Sequence, residues 1–134
     1  MNSRTRATAL STVAALAVVA GGVAVSAPAE AKTRVVSARA TCTTTHTIGS
    51  LKAKNSNGLI EVEFAIDSNR NGQRWTYTIK RNGVLKASGA RLTLAPSGSF
   101  TVARRISNAA GVDTIVAVAK NSRTGEICRA TVKY

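Results

Sequence analysis

Negative charge is scarce in this chain. Six aspartates and glutamates stand against 19 lysines and arginines in 134 residues, a formal net charge of +13. That imbalance disfavours cationic partners and suits polyanionic ones. Histidine is scarcer still: His46 is the only one, and it lies among Thr43, Thr44, Thr45 and Thr47 rather than opposite a glycine-rich nucleophile elbow. A serine or cysteine hydrolase built on this sequence would have no assembled base. The carboxylates offer no substitute. Glu61 and Glu63 sit two apart on one predicted strand, hence on one sheet face rather than across a cleft, as glycosidic cleavage requires. Metal-binding side chains do not cluster along the chain, so neither a metal centre nor another cofactor is expected. Aromatic residues number five, and Trp75 and Tyr77, the candidates for stacking on single-stranded nucleic acid, fall on predicted core positions. The composition points to a protein that binds rather than catalyses.

Long apolar sequence is confined to residues 7–25, preceded by Arg4 and Arg6 and followed by Ala29-Glu30-Ala31. A basic flank, an apolar run and small residues at the two positions a signal peptidase reads predict a cleaved secretory signal over residues 1–31. Thr5 separates the two arginines, so the twin-arginine pattern is not met and general secretion is expected. An uncleaved N-terminal anchor is the alternative, since the run is long enough to span a bilayer. No membrane span is expected after cleavage, which makes the product secreted, either released or held at the cell envelope. The 19 basic and 6 acidic residues less Arg4, Arg6 and Glu30 leave 17 and 5, a net charge of +12. In an oxidising compartment Cys42 and Cys128 are expected to form one disulfide. Closing a loop of about 86 residues removes unfolded-state entropy worth roughly 4–5 kcal/mol.

Residues 32–39 read as a short, basic, mobile lead-in, and residues 40–134 as one domain with period-two alternation. Residues 40–48 are threonine-rich and β-prone. Leu59–Asp67 alternates Ile60, Val62, Phe64 and Ile66 with Glu61, Glu63, Ala65 and Asp67. Residues 73–80 set Trp75, Tyr77 and Ile79 against Arg74, Thr76, Thr78 and Lys80. Asn82-Gly83 then gives a hairpin, because both residues tolerate positive φ, and residues 84–87 return. Residues 91–95 and 100–106 are read as further strands around a Pro96-Ser97-Gly98 turn, with a slip in period at Arg104-Arg105 that predicts a bulge or a strand end. Residues 112–120 are nearly continuously apolar, as a strand covered on both faces would be. Residues 126–134 alternate Cys128, Ala130, Val132 and Tyr134 with Ile127, Arg129, Thr131 and Lys133. Seven or eight short strands in roughly 100 residues predict an antiparallel β-sandwich, with a small closed barrel as the alternative. The segment Asp67-Ser68-Asn69-Arg70-Asn71-Gly72 matches the start of a calcium loop, but Thr78 stands where the bidentate glutamate belongs, and a polar turn is the expected reading.

The strand order, Trp75 on the third strand, and Val112-Asp113-Thr114-Ile115-Val116-Ala117-Val118-Ala119 leading into a Gly-containing final hairpin resemble immunoglobulin-like or fibronectin type III domains. Residues 62–134 are similar to small secreted proteins of high-GC Gram-positive bacteria, most without an assigned activity. The resemblance implies a seven- or eight-stranded immunoglobulin-like sandwich. The chain departs from the antibody pattern in having no cysteine pair on the second and sixth strands, and Ile115 in place of the corner tyrosine.

Alternation also sorts the charges. The second strand would expose Glu61, Glu63 and Asp67 near Arg104 or Arg105, making one sheet nearly neutral. The other sheet would expose Arg74, Lys80, Lys120, Arg129 and Lys133 with no carboxylate among them. These five residues are the candidate contacts for an anionic polymer: wall polymer, nucleic acid or lipid headgroups. The competing expectation is a protein-partner or protease-inhibitor-like module acting through an exposed loop, residues 68–73 or 107–112.

Overall fold

The computed structural model describes residues 34–134 together with Gly22; apart from that glycine, the expected signal over residues 1–31 lies outside the described residues. Nine strands and no helix occur among them: β1 (Val35–Arg39), β2 (Thr41–Cys42), β3 (Ile48–Ser56), β4 (Leu59–Asp67), β5 (Arg74–Arg81), β6 (Val84–Leu92), β7 (Ser99–Ser107), β8 (Thr114–Asn121) and β9 (Ile127–Lys133). They form two antiparallel sheets, ordered β1-β3-β4-β7 and β2-β9-β8-β5-β6. The architecture is the predicted sandwich. The five-stranded sheet follows the order that immunoglobulin domains give their G, F, C and C′ strands. The four-stranded sheet differs: β7 alone lies between the β5–β6 and β8–β9 hairpins, where antibody-type domains place two strands.

The alternating side chains close the core between the sheets. Ile60, Val62, Phe64 and Ile66 of β4 face Trp75, Tyr77 and Ile79 of β5, with Ile115, Ala117 and Ala119 of β8 beside them, and all are buried. Trp75 and Phe100 meet at 6.4 Å between ring centroids with planes tilted by 50°, a favourable arrangement for two quadrupoles.

Four segments depart from the sequence expectation. Val35–Arg39 is not a mobile lead-in but pairs along its whole length with β3, and Val36 and Ala38 pack on the core. Ile48–Ser56 is a full strand that the alternation did not reveal, because Leu51 is its only large buried side chain among small and polar neighbours. β6 continues to Leu92, with one shift of register against β5 between Ile79 and Lys80, so residues 91–95 are not a separate strand. Gly89 lies against Tyr77, where an added Cβ would come within 3.1 Å of the hydroxyl. β7 likewise shows no slip at Arg104, since its pairing with β4 is continuous from Ser99 to Ser107. Arg104 instead takes the core-side position, and its Nη2 donates to the Tyr77 hydroxyl at 2.8 Å. Its guanidinium carbon lies 6.0 Å from the Tyr77 ring centroid.

Candidate functional site

The side chains that alternate with the core on β5, β8 and β9 form the outer face of the five-stranded sheet. Arg74, Lys80, Lys120, Arg129 and Lys133 all lie on it, and all are exposed. Register fixes their neighbours: Lys120 is opposite Thr76, Lys80 opposite Val116, Arg129 opposite Val118 and Lys133 opposite Thr114. Adjacent strands lie about 4.8 Å apart and successive residues rise about 3.4 Å, so Lys80 and Arg129 flank β8 diagonally at roughly 12 Å. Between them runs a groove of about 340 Å³ whose floor is Val116 and Val118 and whose sides include Thr78, Lys80 and Arg129. Val116 and Val118 were expected beneath a second covering layer. Among the described residues no layer lies there; long side chains on the flanking strands shade them instead, and they are half-buried.

The four-stranded sheet carries opposite charges in contact. Lys54 Nζ lies 3.1 Å from Glu61 and 3.9 Å from Glu63, and Lys52 pairs with Glu63. The hydrogen bond from Lys52, helped by the charges of Lys52 and Lys54, holds the Glu63 carboxyl below its ordinary value against the opposing effect of burial. The sequence pointed to Arg104 or Arg105 as partners. Arg105 does stand opposite Glu61 in the ladder, but the contacting cations, Lys52 and Lys54, come from β3.

The cysteines are register partners on β2 and β9 and form the disulfide, with Cα atoms 4.0 Å apart. Beside it lies Glu126, which accepts a hydrogen bond from the Thr44 hydroxyl. Cys42, Cys128 and Glu126 are the one group of three potential metal ligands in contact among the described residues, yet the two sulfurs are bonded to each other and offer no thiolate.

At this end of the sandwich two clefts adjoin. One, of about 450 Å³, lies between the β4–β5 loop and the β8–β9 turn and is lined by Arg70, Gln73, Arg74, Ser122 and Arg123 among others. The second, of about 260 Å³, shares Arg70 and Gln73 and adds Thr43, Thr44, His46, Thr47 and Glu126. The loop that resembles a calcium site is committed to other bonds. Asp67 Oδ1 accepts from Asn69 N–H at 2.9 Å, and the Arg70 carbonyl accepts from Thr93 Oγ1 at 2.5 Å. Ser68 N–H and Gly72 N–H donate to the carbonyls of Gly98 and Thr93 at 3.1 and 2.7 Å. The loop is therefore a braced polar turn.

The second candidate loop, residues 107–112, is anchored at its end by Asp113. That carboxylate is fully buried and accepts from Ala109 N–H and Asn82 Nδ2, each at 3.1 Å. Arg81 lies 3.6 Å away, an ion pair too long for a hydrogen bond. The end clefts have no signature in the sequence, because their walls come from segments far apart along the chain, residues 43–47, 68–74 and 122–126. No protein-family model matches the chain, and no curated protein matches it in sequence.

Proposed function

We propose that this protein is a secreted, non-enzymatic binding module that holds an anionic polymer on the outer face of its five-stranded sheet. The observation that supports this reading is the segregation of charge. Five cations share one face with no carboxylate among the side chains of β5, β8 and β9, while the lysines of the opposite sheet are neutralised by Glu61 and Glu63. Phosphate-bearing polymers bind such faces by releasing condensed counterions, and affinity then falls steeply with salt. Threonine hydroxyls between the cations add donors, and the Val116–Val118 floor accommodates uncharged repeat units between anionic groups. The disulfide and the lack of a membrane-crossing helix among the described residues accord with an exported protein.

The test is retention on phosphocellulose at rising ionic strength. Parent protein is expected to be held at low salt and released as salt increases, and Lys80→Glu with Arg129→Glu to abolish retention. Failure of the parent to bind at low ionic strength overturns the reading.

A second reading rests on the bracing of residues 68–73. A loop already fixed in one conformation loses little entropy on docking, as protein-partner and inhibitor modules need. Incubation with secreted proteases separates the two readings: inhibition with the loop intact supports a protein partner, and cleavage within the loop counts against it.

A further inference from the structure

The cleft between the β4–β5 loop and the β8–β9 turn concentrates charge in a way the flat face does not. Arg70, Arg74 and Arg123 line it together, with no carboxylate among its lining residues. Other arginines are engaged, Arg81 with Asp113 and Ser107, Arg91 over the Tyr77 ring, and Arg104 with the Tyr77 hydroxyl, whereas Arg39, Arg105 and Arg129 stand singly. Among the described residues the guanidinium groups of Arg70, Arg74 and Arg123 have no acceptor and no aromatic partner. Three like charges around one cleft repel one another unless an anion sits between them.

The walls of this cleft are fixed in advance. Arg74 carbonyl accepts from Ser122 N–H at 2.9 Å, which ties the start of β5 to the β8–β9 turn. Asn121 Oδ1 accepts from the N–H groups of Arg123 and Thr124 at 2.9 and 3.1 Å, which sets the turn that carries Arg123. Arg70 is held from behind by Gly98, whose φ is +71° and where an added Cβ would fall 2.2 Å from the Arg70 nitrogen. No other residue type fits that position without moving the loop.

We propose that this cleft is a discrete site for one phosphoryl group carried on a polyol or sugar. Planar guanidinium forks match the oxygens of a tetrahedral oxyanion. The adjoining cleft, with Thr43, Thr44, His46, Thr47 and Glu126, presents the hydroxyls, imidazole and carboxylate that bind a hydroxylated carrier. The inference deepens the polymer reading and rests on it in taking the polymer's own phosphate ester as the occupant.

Calorimetric titration of the purified protein at low ionic strength with glycerol phosphate, inorganic phosphate and glycerol tests it. Glycerol phosphate is expected to saturate a single site more tightly than inorganic phosphate, and glycerol alone not to bind. Arg70→Gln and Arg123→Gln, both exposed, should each weaken binding roughly tenfold with an unchanged melting temperature. Lys80→Gln with Arg129→Gln should leave it unchanged. Absence of saturable binding by either phosphate overturns the site, as does equal weakening by the flat-face pair. Equal affinity for inorganic phosphate overturns the polyol assignment and leaves the free ion as ligand. Phosphocellulose retention keeps the two readings apart. Retention without glycerol phosphate binding removes the site and keeps the face; glycerol phosphate binding without retention does the reverse.

Discussion

Asp113 shows how much one buried side chain can decide. Its carboxylate satisfies Asn82 and Ala109 and balances Arg81, whose Nε is buried and has no hydrogen-bond acceptor. Asp113→Ala removes the balancing charge and strands a backbone donor. Breaking a buried pair in this way costs about 3–5 kcal/mol, and urea denaturation should show a midpoint lowered accordingly. Glu63 acts on a smaller register. Its folded pKa lies below the ordinary 4.5 because of the Lys52 hydrogen bond first and the Lys52 and Lys54 charges after it. The folded state therefore favours the carboxylate, and the stabilisation is present above the ordinary value and lost as pH falls through the lowered one. For a surface pair the effect is below about 1 kcal/mol. Urea midpoints measured from neutral pH to below 4 should fall more for the parent than for Glu63→Gln, whose profile lacks this contribution.

Strands were legible wherever large apolar residues alternate with polar ones. Leu59–Asp67 and Arg74–Arg81 have β-branched and aromatic side chains at every second position, so burial and register follow from the pattern alone. β3 and β1 lack that contrast, with Gly49, Ala53 and Ala38 where bulk would mark the inner face, and their pairing is set by neighbours rather than by their own sequence. The cationic face was readable because it is the complement of the core pattern. The arginine-lined cleft was not, because Arg70 and Arg123 meet only through the β5–β8 pairing. β2 is the element most dependent on a covalent tie. It has two residues, and beyond them only Thr43 N–H to the Ile127 carbonyl at 2.9 Å and Ile127 N–H to Thr43 Oγ1 at 3.1 Å continue the ladder. Replacing Cys42 and Cys128 with alanine should cost roughly 3–5 kcal/mol in urea unfolding. It should also weaken glycerol phosphate binding, since Thr43 and Thr44 border the adjoining cleft.

The complete domain is a two-layered object with unlike exteriors. One layer has its lysines matched to glutamates, and the other displays unmatched cations above an apolar stripe. Neutralising substitutions should therefore be unequal in effect. Lys52→Gln with Lys54→Gln is expected to leave phosphocellulose retention nearly intact, whereas Lys120→Gln with Lys133→Gln should reduce both retention and its dependence on salt by about two charges. Elution position against ionic strength measures both.

The unequal layers give the molecule a permanent electric dipole across its thin direction. On a negatively charged plane such a particle rotates before it lands, because one approach is downhill and its opposite is not. Many copies settled this way would form a carpet of uniform orientation, with every β3–β4 hairpin facing outward.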